Sequence, residues 1–242
     1  MPGENYYLVT SLPTLGDLGS MPPIGLGELV ERVGAFPGPS ALIEAIVTGD
    51  DLLQRQGFLA GEIKSVQPAV LTAGQVRNEE PLPEPLAAGP ADAQPLAAID
   101  AVWEAYFRWA QSVARRQGSA FLNAWVGHEV ALRNALAAER AKALGLAVEP
   151  YLVVPELGRT DANLDALLAE WSAAPDPLAG LRVLDQGRWG WLTDNDAWFS
   201  FDDDEVAVYA ARLVLLHRWH RLGEARQPAS PQPARPAASS PR

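Results

Sequence analysis

The sequence predicts an all-α fold, an irregular multi-helix bundle punctuated by proline-rich loops, and three stretches carry that prediction. Residues 119–145 open on a capping serine, close on a glycine and contain no proline. Within them Leu122, Trp125, Leu132, Leu136 and Ala143 keep helical spacing and form a core-facing stripe. Just upstream, Leu96, Ile99, Trp103, Tyr106, Ala110 and Val113 recur at alternating steps of three and four. Near the end, Val206, Tyr209, Leu213, Leu216 and His220 repeat the pattern. Val208, Leu215 and Trp219 widen that last stripe until the helix is apolar almost all round, as a central bundle helix must be.

Composition sets the bounds. A chain of 242 residues has ample apolar content for a sizeable core, and 21 prolines with 20 glycines impose long punctuated connections. Lysine occurs only at Lys64 and Lys142, so arginine supplies nearly all the positive charge. A net charge of -11 argues against nucleic acid as a partner, because phosphate neutralisation needs a basic face. The absence of cysteine excludes disulfides, zinc–thiolate sites and cysteine nucleophiles. The first ten residues lack the basic and apolar regions of a signal peptide, and no apolar run approaches the ~20 residues of a membrane span. The expectation is a soluble, cytoplasmic chain with no direct membrane insertion.

Taken in order, Tyr6 to Pro13 is rich in aromatic and branched residues and too short to assign, with its tyrosine pair expected to pack on the body of the fold. A short helix is expected at 26–33 and a second at 40–56, which Gly49 and the polar pair Asp50-Asp51 threaten to split. Residues 78–94 hold four acids, several prolines and no base, so they read as an exposed acidic linker. That linker divides an N-terminal helical part, 1–77, from a main helical domain, 95–222. Pro95 suits a first helical turn, and Gly118 joins two long helices into an antiparallel hairpin. On this hairpin Tyr106 comes level with Glu129, and its hydroxyl is expected to bond that carboxylate. Residues 148–154 look extended or strand-like, 161–173 helical, and 178–186 a further short helix opened by Asp176-Pro177. An aromatic segment from Gly187 leads to the last helix, 203–222, whose start carries capping acids at Asp202, Asp203 and Glu205. Residues 223–242 have the composition of a disordered tail.

Most chemical motifs fail on inspection. Neither lysine sits in a phosphate-binding loop, and Gly25-Leu26-Gly27 lacks the third glycine of a dinucleotide site. His128-Glu129 begins like a helical zinc-protease motif, but the second histidine position is Leu132. His217 and His220 share a helix face with no third ligand near them in sequence. Asp194, Asp196 and Asp202 suggest a calcium loop, except that Trp198 and Phe199 occupy a ligand and the required glycine position. No metal or cofactor is called for.

The strongest polar constellation is Glu129 with Arg133 and Arg140. Glu129 falls on the apolar stripe, where a carboxylate is costly unless paired, and Arg133 stands one turn away in the favoured order. Together with Tyr106 these residues read as a structural ion network, a partner contact or, least well, a catalytic group. An adjacent cation keeps a carboxylate ionised and works against the raised pKa of a general acid.

Three stretches resemble a bacterial family encoded among the genes of V-type (A/V-type) ATPases. They are Y-Y-L-V-T-S-L-P with P-P-I-G-L-G-E-L; the helix F-L-N-A-W-V-G-H-E-V-A-L-R-N-A-L-A-A-E-R-A-K-A-L-G; and R-W-G-W-L followed by F-S-F-D-D-D-E-V-A-V-Y-A-A-R-L-V-L-L-H-R-W. The second and third also look like the C (or d) subunit of the rotary ATPase, an all-helical socket between the central shaft and the membrane ring. The resemblance implies a non-catalytic, shaft-to-ring coupling subunit with other ATPase subunits as partners, cytoplasmic and peripheral to a membrane-bound complex. A transient assembly or regulatory factor of the same complex is the alternative. Compared with that socket the chain is short, and its Asp50-Asp51 interruption and proline-rich linker are departures.

Overall fold

The computed structural model describes residues 5–87, 95–159 and 164–224, and within them the fold is all-α. The helices are α1 (Tyr6–Ser11), α2 (Leu26–Val33), α3 (Pro37–Leu59), α4 (Ala73–Val76), α5 (Pro95–Gln117), α6 (Ala120–Ala143), α7 (Asp165–Ser172), α8 (Pro177–Asp194) and α9 (Asp203–Glu224). Among the described residues there is no strand.

α3 and α9 form the central pair. α3 starts on Pro37, where a missing N–H costs nothing, and buries Leu42, Ile43, Ala45, Ile46, Val47 and Leu52. α9 answers with Val206, Ala207, Val208, Ala210, Ala211, Leu213, Leu215 and Leu216, all within the core. α5 packs on α3 from one side, α6 pairs with α5, and α2 closes the far edge against α3 and α9. The core is continuous: Leu29 and Leu42 from the N-terminal third belong to the same apolar cluster as Phe107, Leu122 and Leu213. Residues of 1–77 and of 95–222 thus contribute to one apolar cluster. Of the acidic linker, residues 88–94 lie outside the described residues. Residues 78–87 are tied down by a 3-10 turn at Glu84–Leu86, with Leu86 buried.

Asp50 and Asp51 do not break α3. Asp51 accepts backbone N–H groups from Ala69, Val70 and Leu71 at 3.0, 2.9 and 2.8 Å. One turn on, Gln54 accepts from the Gln67 amide at 2.7 Å. The polar face of the helix thus supplies the hydrogen bonds that segment 67–71 would otherwise lack, which is why buried acids are tolerated there. Gly49 has an equally specific purpose, since a Cβ there would lie 2.6 Å from the Tyr106 hydroxyl oxygen. Glycine lets α5 approach closely enough for Tyr106 to donate to the Ala45 carbonyl at 3.0 Å.

Between α5 and α6, Gly118 takes φ 68° and Ser119 caps α6 by accepting from the Leu122 amide at 2.9 Å. Residues 148–154 are not a strand. They hold a 3-10 turn at Glu149–Tyr151, with another following at Pro155–Leu157, and are stitched to α6 because the Asn134 side chain bonds both Val153 backbone groups at 2.9 Å. α8 runs well beyond 186, absorbing the Arg188–Leu192 segment. Gly180 and Gly187 on it leave room for Trp171 and Leu167 of α7. Residues 161–163, within the expected helix at 161–173, and 225–242 of the expected tail lie outside the described residues.

The run from Phe199 to Glu205 joins distant parts of the chain. Asp202 caps α9 through the Glu205 amide at 3.1 Å. Asp203 accepts from the Asn5 side chain at 2.6 Å, and Asp204 accepts from the Phe121 amide at 3.0 Å and from the Ser119 hydroxyl. Glu205 accepts from the Phe201 and Phe199 amides at 2.7 and 3.3 Å, holding both phenylalanines at positive φ, 54° and 61°. The tyrosine pair does not pack inward as expected. Tyr7 is 81% exposed, and Tyr6 tilts against Phe201 at 5.2 Å between ring centroids.

Candidate functional site: an arginine-rich cavity

α3, α5, α6, α8 and α9 enclose a cavity of about 370 Å³. Tyr106, Glu129, Arg133 and Arg140 all line it, so the polar residues singled out in sequence share one wall system. Their bonds differ from those expected. Glu129 pairs with Arg188 of α8, which reaches its two oxygens from Nε at 2.7 Å and Nη2 at 3.1 Å. Arg188 continues to Asp185 at 3.1 Å, and Arg218 of α9 meets the same Asp185 oxygen at 2.9 Å. Tyr106 gives its proton to Ala45, not to Glu129, because Gly49 draws the ring toward α3.

Arg133 turns away from Glu129 to Asp100 at 3.1 Å, with its guanidinium 4.8 Å from the Trp103 ring centroid. Arg140 lies over Trp171 of α7 at 5.6 Å. On the α3 side Asp50 is gripped by Arg221 at 2.7 and 2.8 Å. Aromatic residues fill the spaces between. Trp125 and Trp191 flank His128, whose buried ring stacks on Trp191 at 4.8 Å and finds no hydrogen-bond partner at either nitrogen.

The electrostatics fix charges in place. Burial works to raise the Glu129 pKa, but the charge and hydrogen bonds of Arg188 outweigh it and hold the carboxyl below its usual value. Burial likewise opposes the charge on Arg188, and Glu129 with Asp185 overcomes it, so that guanidinium titrates above its ordinary range. Tyr106 is pushed up by burial and then by the Glu129 charge, so its hydroxyl stays protonated. Burial lowers Arg133, partly offset by Asp100 and reinforced by Arg140. These shifts hold Glu129 and Arg188 charged and the Tyr106 hydroxyl protonated at fixed points.

Among the described residues no three His, Asp or Glu side chains gather as a metal-binding group. His217 instead bonds the Ile24 carbonyl through Nε2 at 2.8 Å. No helix among the described residues is long and apolar enough to cross a membrane.

Arg188, Asp185, Arg218 and Arg221 are the members that sequence reasoning missed. Arg188 was hidden because its neighbours Trp189 and Trp191 read as an aromatic loop after a short helix. Once α8 is extended, Asp185 and Arg188 fall one turn apart, Asp185 reaching Arg218 of α9 and Arg188 reaching Glu129 of α6. Arg218 and Arg221 stand one turn apart on α9, a spacing visible in the sequence but eclipsed there by the apolar stripe.

Comparison of the chain with protein-family models, with curated proteins and with solved structures finds no match in any of the three.

Proposed function

We propose that this chain is a non-catalytic subunit of a bacterial V/A-type ATPase, a C/d-like coupler between the central shaft and the membrane ring that works through protein–protein contact. One observation carries the reading. The three stretches that bear the sequence resemblance meet at the acidic first turn of α9, where Asp203 accepts from Asn5 beside α1 and Asp204 accepts from the Phe121 amide at the start of α6. Residues far apart in sequence thus make one connected unit.

Two further features support it. Trp198 and Phe199, in ring contact with each other, are 64% and 76% exposed, and Tyr6 and Tyr7 are also exposed; aromatic residues are enriched at protein interfaces. The fixed charges around Glu129 fit a scaffold better than a reaction centre. On this reading the protein is peripheral to a membrane-bound complex, and proton or sodium movement belongs to its partners.

The test is the composition of the ATPase purified gently from the native host. A coupler is present in fixed stoichiometry with the shaft subunits, and its absence from an intact, active complex overturns the proposal. Recovery in small and variable amounts identifies a transient assembly factor instead.

A further inference from the structure

We propose that the cavity between α3, α5 and α6 binds a small organic anion, with the charged group held at Arg140 and Arg133 and an apolar body lying among Trp103, Leu136 and Leu144. The charge account of the cavity points there. Arg221 offsets Asp50, Arg188 offsets Glu129, Arg218 offsets Asp185, and Arg133 offsets Asp100. Arg140 is the cation left over: among the described residues no carboxylate pairs with it, and its contact is the face of Trp171. An anion entering here meets a surplus positive charge and three lining cations, Arg133, Arg188 and Arg218, already ordered by their partners, so little side-chain freedom is lost on binding.

Shape and chemistry agree with that reading. A volume of about 370 Å³ lies in the range of small-ligand pockets, which are mostly apolar with a few convergent polar groups. Arg133 and Arg140 lie seven positions apart on one face of α6, with Leu136 and Ala137 between them on the cavity wall. Leu144, 72% exposed, and Tyr151 mark the mouth, giving an apolar approach beside the exposed Arg140. Guanidinium groups favour carboxylates and phosphates through paired N–H donors, and the aromatic walls favour a flat or aliphatic body. This inference concerns a ligand site and holds or falls independently of membership in an ATPase.

The experiment is isothermal titration of the full chain with 2-naphthoate, with the neutral isostere 2-naphthylmethanol and with inorganic phosphate. The expected result is saturable binding of one naphthoate per chain, about tenfold or more tighter than the neutral compound, as the loss of a charged hydrogen bond implies. Phosphate is expected to bind much more weakly because it lacks the apolar body. Arg140→Gln should erase the preference for naphthoate over the alcohol without lowering the melting temperature, since Arg140 sits at the rim. Arg182→Gln, which alters an arginine lying over Trp219 away from this cavity, should leave binding unchanged. Failure to saturate, equal affinity for the charged and neutral compounds, phosphate binding as tightly as naphthoate, or indifference to Arg140→Gln would each overturn the proposal.

Discussion

Arg188 grips both carboxylate oxygens of Glu129 across 59 positions of sequence, tying α8 to α6 at a point where both side chains are largely buried. A bidentate pair in that setting is strong only while complete, because removing one member strands the other charge away from water. Arg188→Met is expected to cost about 3–5 kcal/mol in denaturant unfolding. Glu129→Gln should cost less, about 1–3 kcal/mol, because Arg188 keeps Asp185 as a partner. Equal losses for the two variants would show that the pair is not the unit described.

Gly49 and Tyr106 are coupled by contact. Gly49→Ala adds a Cβ 2.6 Å from the Tyr106 oxygen, and the clash should outweigh the gain in helix propensity, for a net loss of about 1–3 kcal/mol. Tyr106→Phe alone should cost about 1 kcal/mol through the lost bond to Ala45. The double variant should be more stable than the two losses added together, since removing the hydroxyl makes space for the methyl group. Simple additivity in this cycle would refute the contact.

Asp204 stands in for part of the α6 cap. Asp204→Ala leaves the Phe121 amide and the Ser119 hydroxyl without that acceptor, at an expected cost of about 1–2 kcal/mol. Amide hydrogen exchange should quicken in the first turn of α6 and not at the centre of α5. Asp204→Asn should recover part of the loss.

Two buried groups impose opposite pH dependences. Burial between tryptophan rings holds His128 below its ordinary value of 6.5, so the unfolded chain takes up a proton that the folded chain refuses. Its contribution is complete above that value and is lost as pH falls below it. Burial pushes Asp51 from 3.8 up to about 6 against the pull of three backbone N–H donors. The folded chain therefore binds that proton more readily, and this contribution is complete below 3.8 and lost as pH rises through about 6. Carbon-detected NMR titration should place the Asp51 midpoint near 6, while the His128 ring stays neutral at a pH where a free histidine is charged. A His128 midpoint at its ordinary value would contradict the buried, unbonded ring.

Periodicity revealed the helices where one face is apolar. α2 falls on 26–33 as read, and the α5–α6 hairpin turns at Gly118. It failed where polar residues serve neighbours instead of solvent. Asp50 and Asp51 looked like an interruption because nothing local shows that Asp51 meets backbone amides about twenty positions downstream. The strand-like run at 148–154 was misread for a similar reason. Val153 and Val154 do bury, but the Val153 backbone pairs with the Asn134 side chain instead of another strand. Of the site, Glu129 was legible because a carboxylate broke a stripe, whereas its partner came from a helix whose extent the Gly187 and Trp189 signals concealed. Spacing along one helix favoured Arg133 as that partner, but tertiary geometry gave the role to Arg188.

The bond from Asn5 to Asp203 spans 198 positions, so the first described residue is fastened by almost the last helix to be made. At roughly 5–20 residues per second, α1 emerges from the ribosome on the order of 10–40 s before its acceptor exists. Through that interval the N-cap of α1 lacks the α9 carboxylate that fastens it. Closure of the N-terminal segment is thus a late step of biosynthesis. A chain stopped anywhere before Asp203 would expose its own beginning as the mark of being unfinished.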